Sequence, residues 1–111
     1  MNLLKSLLLT CALGIPGAVL AADASVTISS PANGAKVGTS GVNVTYDVVP
    51  GPKGDHVHFY VDDEEVKVLR QLKGTYTVDS LTAGQHTLCI KVVDKSHTPI
   101  GVEKCIKVTA S

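Results

Sequence analysis

The sequence contains no tryptophan and only one phenylalanine, and its apolar residues are mainly valine and other small aliphatic side chains. Valine and isoleucine favour strands over helices, so an all-β protein is expected. Ten basic residues balance ten acidic ones without forming a basic stripe, which argues against a nucleic-acid partner. The sequence also lacks a nucleophile elbow, a phosphate-binding loop and a dinucleotide fingerprint, and we therefore expect no enzyme.

The N-terminal segment has the three parts of an export signal. Lys5 supplies a positive charge, residues 7–20 are apolar, and small residues around position 21 offer a cleavage site. The apolar run contains two glycines and a proline, and it is shorter than the roughly 20 residues that a membrane helix needs. We therefore predict a signal peptide over residues 1–22 and one periplasmic or secreted domain over residues 23–111, without a stable membrane span after cleavage.

Cleavage would remove Cys11 and leave one cysteine pair, Cys89 and Cys105. In an oxidising compartment such a pair favours a disulfide, with a metal–thiolate pair or two free thiols as the alternatives. The midpoint between them is His97, so a symmetric hairpin of the last two strands places the two cysteines opposite each other. Both would point away from the core, at a separation that a disulfide can span. The sequence has no Cys-x-x-Cys motif, which argues against a redox role.

Short apolar segments with a period of two, separated by proline- and glycine-rich turns, predict about seven strands. Along Val42–Val48, for example, valine and tyrosine alternate with polar residues. The other segments are Ser25–Ser30, Val57–Val61, Val66–Leu69, Tyr76–Val78, His86–Val92 and Val102–Val108. Because no helical period is present, the pattern is typical of a two-sheet antiparallel β-sandwich.

Three segments resemble the bacterial Ig-like domains: Ile28–Ala35, Phe59–Asp62 and Leu81–Leu88. The resemblance extends over nearly the whole of the predicted domain, and it implies an immunoglobulin-like sandwich. It also implies an extracellular accessory or binding module, since members of that family mostly have such roles. The sequence departs from the family in the motif Asp55-His56-Val57-His58, where ordinary members carry less distinctive polar and apolar residues.

The motif predicts two histidines on one surface. If Val57 and Phe59 face the core, His56 and His58 both face water, about 6.5–7 Å apart along the strand. Imidazole nitrogens at this spacing can converge on one ion, and they suit copper, zinc or nickel. The alternative is a pair of ordinary solvated histidines, which this spacing often produces by chance.

A third histidine is expected near this pair. In an Ig-like sandwich the third and sixth strands are antiparallel neighbours, which brings the loop carrying His97 close to the start of the third strand. Asp55 and Asp94 are candidate fourth ligands, or acceptors that orient the histidines from behind. The predicted metal is Cu(II) first and Zn(II) second, because Cu(II) has the higher affinity for nitrogen ligands. His86 lies at the opposite end of its strand and is expected to be structural.

Three function classes remain open from the sequence. The first is an exported, non-catalytic protein that binds a copper-like metal ion in order to store, buffer or deliver it. The second is an interaction module that holds a protein partner without metal. The third, carbohydrate binding, ranks last because strand parity leaves only Tyr60 as an exposed aromatic ring. The acidic segment Asp62–Glu65 is interpreted as a solvated turn, with a weak calcium contact as the alternative.

Overall fold

Eight β-strands and the turns between them form the part of the chain that the computed structural model describes, residues 23–111. None of these residues forms a helix, so this region offers no helical segment able to cross a membrane. Residues 1–22, assigned above to a signal peptide, lie outside the described residues. The strands are β1 (Ser25–Ser30), β2 (Ala35–Val37), β3 (Val42–Val49), β4 (His56–Val61), β5 (Glu64–Leu69), β6 (Lys73–Val78), β7 (Gly84–Val93) and β8 (Pro99–Ala110).

The strands form two sheets, one with the order β1–β3–β6 and the other with the order β2–β8–β7–β4–β5. All neighbouring strands are antiparallel except β2 and β8, which are parallel. The predicted all-β, two-sheet sandwich is confirmed, with β2 as an additional strand. β2 has only three residues and pairs with the end of β8, so local periodicity does not predict it.

The core lies between the sheets and is built by alternation along each strand. In β3 the buried residues Val42, Val44, Tyr46 and Val48 alternate with more exposed ones, as the period of two predicts. The five-stranded sheet contributes fully buried side chains such as Phe59 from β4 and Ile90 from β7. The predicted inward orientation of Val57 and Phe59 is therefore confirmed, and this fixes which face of β4 the neighbouring histidines occupy.

The outer face of the five-stranded sheet differs from the prediction at β4. His56 and His58 do share that face, but they are only 1% and 3% exposed, so the expectation that they face water is wrong. Strand β4 lies between β7 and β5, Glu65 of β5 bonds His58, and His97 of the β7–β8 loop lies against both rings. Alternation predicts the face on which a side chain lies, and it does not predict what covers that face.

The last two long strands carry the predicted disulfide. Cys89 of β7 and Cys105 of β8 are direct partners in the antiparallel register, and their sulfur atoms are bonded. Cys89 is 2% exposed although it lies on the outer face of the sheet. The bridge therefore ties β7 to β8 on the face that also carries the two histidines of β4.

Candidate metal centre

The backbone of β4 sets the positions of His56 and His58. In the register with β7, His56 lies opposite Val93 and His58 lies opposite Lys91. On the other side of β4, His58 lies opposite Val68 of β5. Both rings thus stand on a central strand, and neighbouring strands restrict their freedom to move sideways.

His97 is held by the short connection between β7 and β8. The Asp94 carboxylate accepts hydrogen bonds from the amides of Ser96 and Thr98, at 2.8 and 3.0 Å. The His97 amide donates to the Asp94 carbonyl oxygen at 3.0 Å, and the Asp94 amide donates to the Thr98 carbonyl at 2.9 Å. His97 itself has a φ of 66°, in the left-handed region that non-glycine residues seldom adopt. The loop is therefore a defined turn that presents one imidazole toward β4.

The side chains of His56, His58 and His97, here called the histidine cluster, converge through one ring nitrogen each. His56 Nε2 lies 3.2 Å from His58 Nε2 and 3.2 Å from His97 Nδ1, and His58 Nε2 lies 3.0 Å from His97 Nδ1. The two β4 rings are buried and His97 is exposed. The cluster thus lies at the protein surface, with His97 on its outer side.

Two carboxylates bond the opposite ring nitrogens of the β4 histidines. Asp55 Oδ2 lies 2.9 Å from His56 Nδ1, and Glu65 Oε1 lies 2.9 Å from His58 Nδ1. The hydrogen bond from His56 lowers the pKa of the Asp55 carboxyl, with Arg70 contributing from 3.6 Å. Carboxylates that bond the far nitrogen of a metal-ligating histidine are a common feature of metal sites, where they fix the ring and its tautomer.

The hydrogen bonds determine which nitrogens carry protons. An ionised carboxylate only accepts, so Nδ1 of His56 and Nδ1 of His58 each carry the donated hydrogen. In a neutral imidazole the other nitrogen, Nε2, then presents a lone pair. The Nε2 lone pairs of His56 and His58 then face each other at 3.2 Å and repel each other. Even if His97 Nδ1 carries a proton, that one proton cannot form good hydrogen bonds to both nitrogens and also relieve the repulsion between them. A single cation bound by all three nitrogens removes this repulsion.

The spacing of the three nitrogens fits a metal ion. The bond from an imidazole nitrogen to a metal such as zinc is about 2.0–2.1 Å long. Three such bonds, with angles of about 100° between them at the ion, place the nitrogens at separations close to the observed 3.0–3.2 Å. The carboxylates of Asp55 and Glu65 bring two negative charges that offset a divalent cation. Donor type, spacing and charge are therefore all compatible with a transition-metal ion.

The structure brings together three of the five residues predicted as ligands. Asp55 bonds His56 from behind, which is one of the two roles considered for it. Asp94 is not part of the group of converging atoms, and its Oδ1 is used by the loop amides. Glu65 is an addition to the predicted set, because the acidic segment Asp62–Glu65 predicts a solvated turn whereas Glu65 bonds His58. A signal was present: a hairpin turning at Asp62-Asp63 pairs Glu65 with Tyr60, and therefore places it on the face of His58.

His86 lies apart from the cluster and makes a separate set of contacts. Its Nδ1 lies 2.6 Å from Asp62 Oδ2, and its Nε2 lies 2.8 Å from the carbonyl oxygen of Thr82. Both acceptors favour the charged ring, so the bond to Asp62 first and the bond to Thr82 second raise the pKa of His86. Asp62 also accepts the Thr87 amide at 2.9 Å. His86 thus joins two turns at the far end of the domain, a structural role in keeping with the expectation from its sequence position.

The fold and the sequence place the chain in a known family. The bacterial Ig domain family matches residues 25–90, more than half of the chain, and the chain belongs to this family. No curated protein matches the sequence. The matched residues include His56 and His58 but end before His97, so the family match does not extend over the complete cluster.

Solved structures with the same fold are distant in sequence. The fibronectin(III)-like modules of Clostridium thermocellum CbhA have a TM-score of 0.63 at 18% identity, covering 78% of this chain and 96% of that one. An engineered protein has a TM-score of 0.58 at 22% identity, over 86% of this chain and 21% of that one. The FMN-binding β-glucuronidase from Facaelibacterium prausnitzii L2-6 has a TM-score of 0.56 at 18% identity, over 81% of this chain and 12% of that one. These likenesses define the fold alone.

Proposed function

We propose that the protein is an exported, non-catalytic Ig-like domain that binds one transition-metal ion through His56, His58 and His97. The observation that carries the proposal is the convergence of three ring nitrogens within 3.0–3.2 Å, two of them on rings whose other nitrogen is bonded to a carboxylate. Neutral imidazoles bind divalent transition metals, and Cu(II) ranks above Zn(II) for such donors. Cu(II) is therefore the first expected ion.

Export agrees with the rest of the chain. The Cys89–Cys105 disulfide forms and persists in oxidising surroundings, such as the periplasm or the extracellular medium. The predicted signal peptide over residues 1–22 would deliver the chain there. We assign no reaction to the cluster. The side chains that bond its rings are two carboxylates and the other histidines, and none of these contacts is to a hydroxyl or a thiol. Storage, buffering or delivery of the ion is the expected role.

Metal titration of the mature chain, prepared without a histidine tag, tests the proposal. Calorimetry and electron paramagnetic resonance should report one Cu(II) per chain with nitrogen ligands, and Zn(II) should compete more weakly. Loss of a residue that hydrogen-bonds a metal ligand typically weakens metal binding 10–100-fold. His56→Ala and His97→Ala remove ligands themselves, so each should weaken Cu(II) binding by more than that. His86→Gln is the matched control, since it removes a histidine outside the cluster. Equal Cu(II) affinity in the wild type and in the two cluster variants would end the proposal.

A protein-interaction module without metal is the second candidate. Strand β5 forms one edge of the five-stranded sheet, and its Val66 side chain is 46% exposed. An edge strand can pair with an extended segment of a partner. A partner that co-purifies in stoichiometric amount from the native compartment, and that stays bound in chelator, would favour this candidate. Carbohydrate binding stays last, because Lys91 Nζ lies 4.5 Å over the ring of Tyr60 and covers that aromatic surface.

A further inference from the structure

The three nitrogens of the histidine cluster can occupy only one side of an ion. Their separations of 3.0–3.2 Å define a small triangle. With metal–nitrogen bonds of about 2.0–2.1 Å, an ion equidistant from all three lies about 1 Å out of the plane of that triangle. Three ligands arranged as such a tripod leave the opposite side of the ion open.

Among the residues that the structure describes, no further histidine, cysteine or carboxylate side chain joins the cluster as a fourth ligand. Within residues 23–111, no carboxylate, thiolate or further histidine joins the three nitrogens in a set whose atoms lie within 4.8 Å of one another. The oxygens of Asp55 and Glu65 bond the far nitrogens of the rings, and the Asp94 Oδ1 bonds loop amides. Sites with three protein ligands and one open position hold an exchangeable ligand there.

The three histidines also differ in how firmly they are held. His56 and His58 are buried on a central strand, and each is bonded to a carboxylate. His97 is exposed, stands on a loop, and turns its Nδ1 toward the other two ring nitrogens. It is therefore the protein ligand that an incoming molecule can reach and replace most easily.

On the basis of the proposed function, we propose that the bound ion accepts an outside imidazole at its open position and is handed to a histidine-bearing acceptor through a ternary complex. An imidazole nitrogen first binds the ion and releases a water molecule. Further donors of the acceptor, or water, then replace His97 Nδ1 and the nitrogens of the two β4 histidines in turn, one bond forming for each that breaks, and no change in oxidation state occurs. Imidazole is the expected donor because free thiols are scarce in the oxidising compartment that the disulfide implies.

Two measurements on the Cu(II)-loaded mature chain test this inference. Titration with free imidazole, followed by visible absorption and electron paramagnetic resonance, should show one added nitrogen ligand while the copper stays bound to the protein. Stopped-flow transfer of Cu(II) to a histidine-containing peptide should then proceed at a rate that rises in proportion to peptide concentration. His97→Ala should transfer faster than the wild type, and His86→Gln should match the wild type.

The possible results separate the inference from the proposed function. If the mature chain binds no Cu(II) at one-to-one stoichiometry, the proposed function itself fails. If it binds Cu(II) through nitrogen ligands but transfers it at a rate independent of peptide concentration, release precedes capture and the ternary complex is refuted. An unchanged spectrum at saturating imidazole would likewise show that the fourth position is closed.

Discussion

The carboxylate of Glu65 offers the sharpest test of how the site is built, since no ligand is altered by its replacement. In Glu65→Gln the side chain keeps its length and can still accept from His58 Nδ1, but it loses the negative charge. Removing such an outer partner typically weakens metal binding 10–100-fold. The Glu65 side chain is 45% exposed, so water screens part of its charge. We expect a loss of about tenfold, or about 1.4 kcal/mol, at the low end of that range.

Asp55→Asn should have a larger effect, because the Asp55 side chain is only 30% exposed and bonds the more buried histidine. We expect a loss in the upper part of the 10–100-fold range. The assay is Cu(II) competition against a chelator of known affinity at neutral pH, with thermal melts to show that each variant is folded. Glu64→Gln is the matched control, since it removes the same charge from the adjacent position. If Glu65→Gln and Glu64→Gln bind Cu(II) equally, Glu65 does not act through His58 and the reasoning fails.

Three further predictions concern the scaffold. The pKa of His86 in the folded protein is raised above 6.5, so its contribution to the free energy of unfolding is complete below pH 6.5 and is lost as pH rises through the folded pKa. The pKa of Asp62 is lowered below 3.8, so its contribution is complete above pH 3.8 and is lost as pH falls through the folded pKa. Urea unfolding from pH 3 to 9 should thus lose stability at both ends, and His86→Gln should remove the loss at the alkaline end. Reducing the disulfide, whose cysteines are 16 residues apart, should cost about 3 kcal/mol in the same assay. A Cβ at Gly54 would collide with the Pro50 carbonyl and the Val92 side chain, whereas one at Gly38 meets nothing within 4 Å. Gly54→Ala should therefore lower the melting temperature. Because Gly54 directly precedes Asp55, which bonds His56, it should also lower the Cu(II) affinity. Equal values for Gly54→Ala and Gly38→Ala would contradict this.

Much of the site could be predicted because strand parity and hairpin symmetry are local properties. The period of two placed His56 and His58 on one face. The placement of His97 beside them is not local, because it uses the strand order of an Ig-like sandwich, in which the third and sixth strands are neighbours. Hairpin symmetry paired Cys89 with Cys105. Each of these inferences needs only the alternation of side chains and the order of strands in the sheet.

The features that were missed depend on contacts that alternation within a single strand does not describe. The burial of His56 and His58 involves Glu65 of β5 and His97 of the β7–β8 loop, which alternation within β4 does not describe. The bond between Glu65 and His58 depends also on the register shift between Phe59 and Tyr60, which sets how β5 lies against β4. The role of Asp94 depends on the detailed turn before Thr98, where its oxygen bonds backbone amides.

The position of the histidine cluster on the outer face of its sheet makes it independent of the hydrophobic interior. Folding of the sandwich rests on the core cluster between the sheets, which includes Phe59 and Ile90 and contains none of the three histidines. Metal-free protein should consequently reach the native state, in contrast to small zinc domains that fold only with their ion. Binding of the metal ion would raise the melting temperature only because the ion binds the folded state and not the unfolded one. Three imidazoles and two carboxylates at equivalent positions could then be transplanted into another domain of this architecture without redesigning its interior.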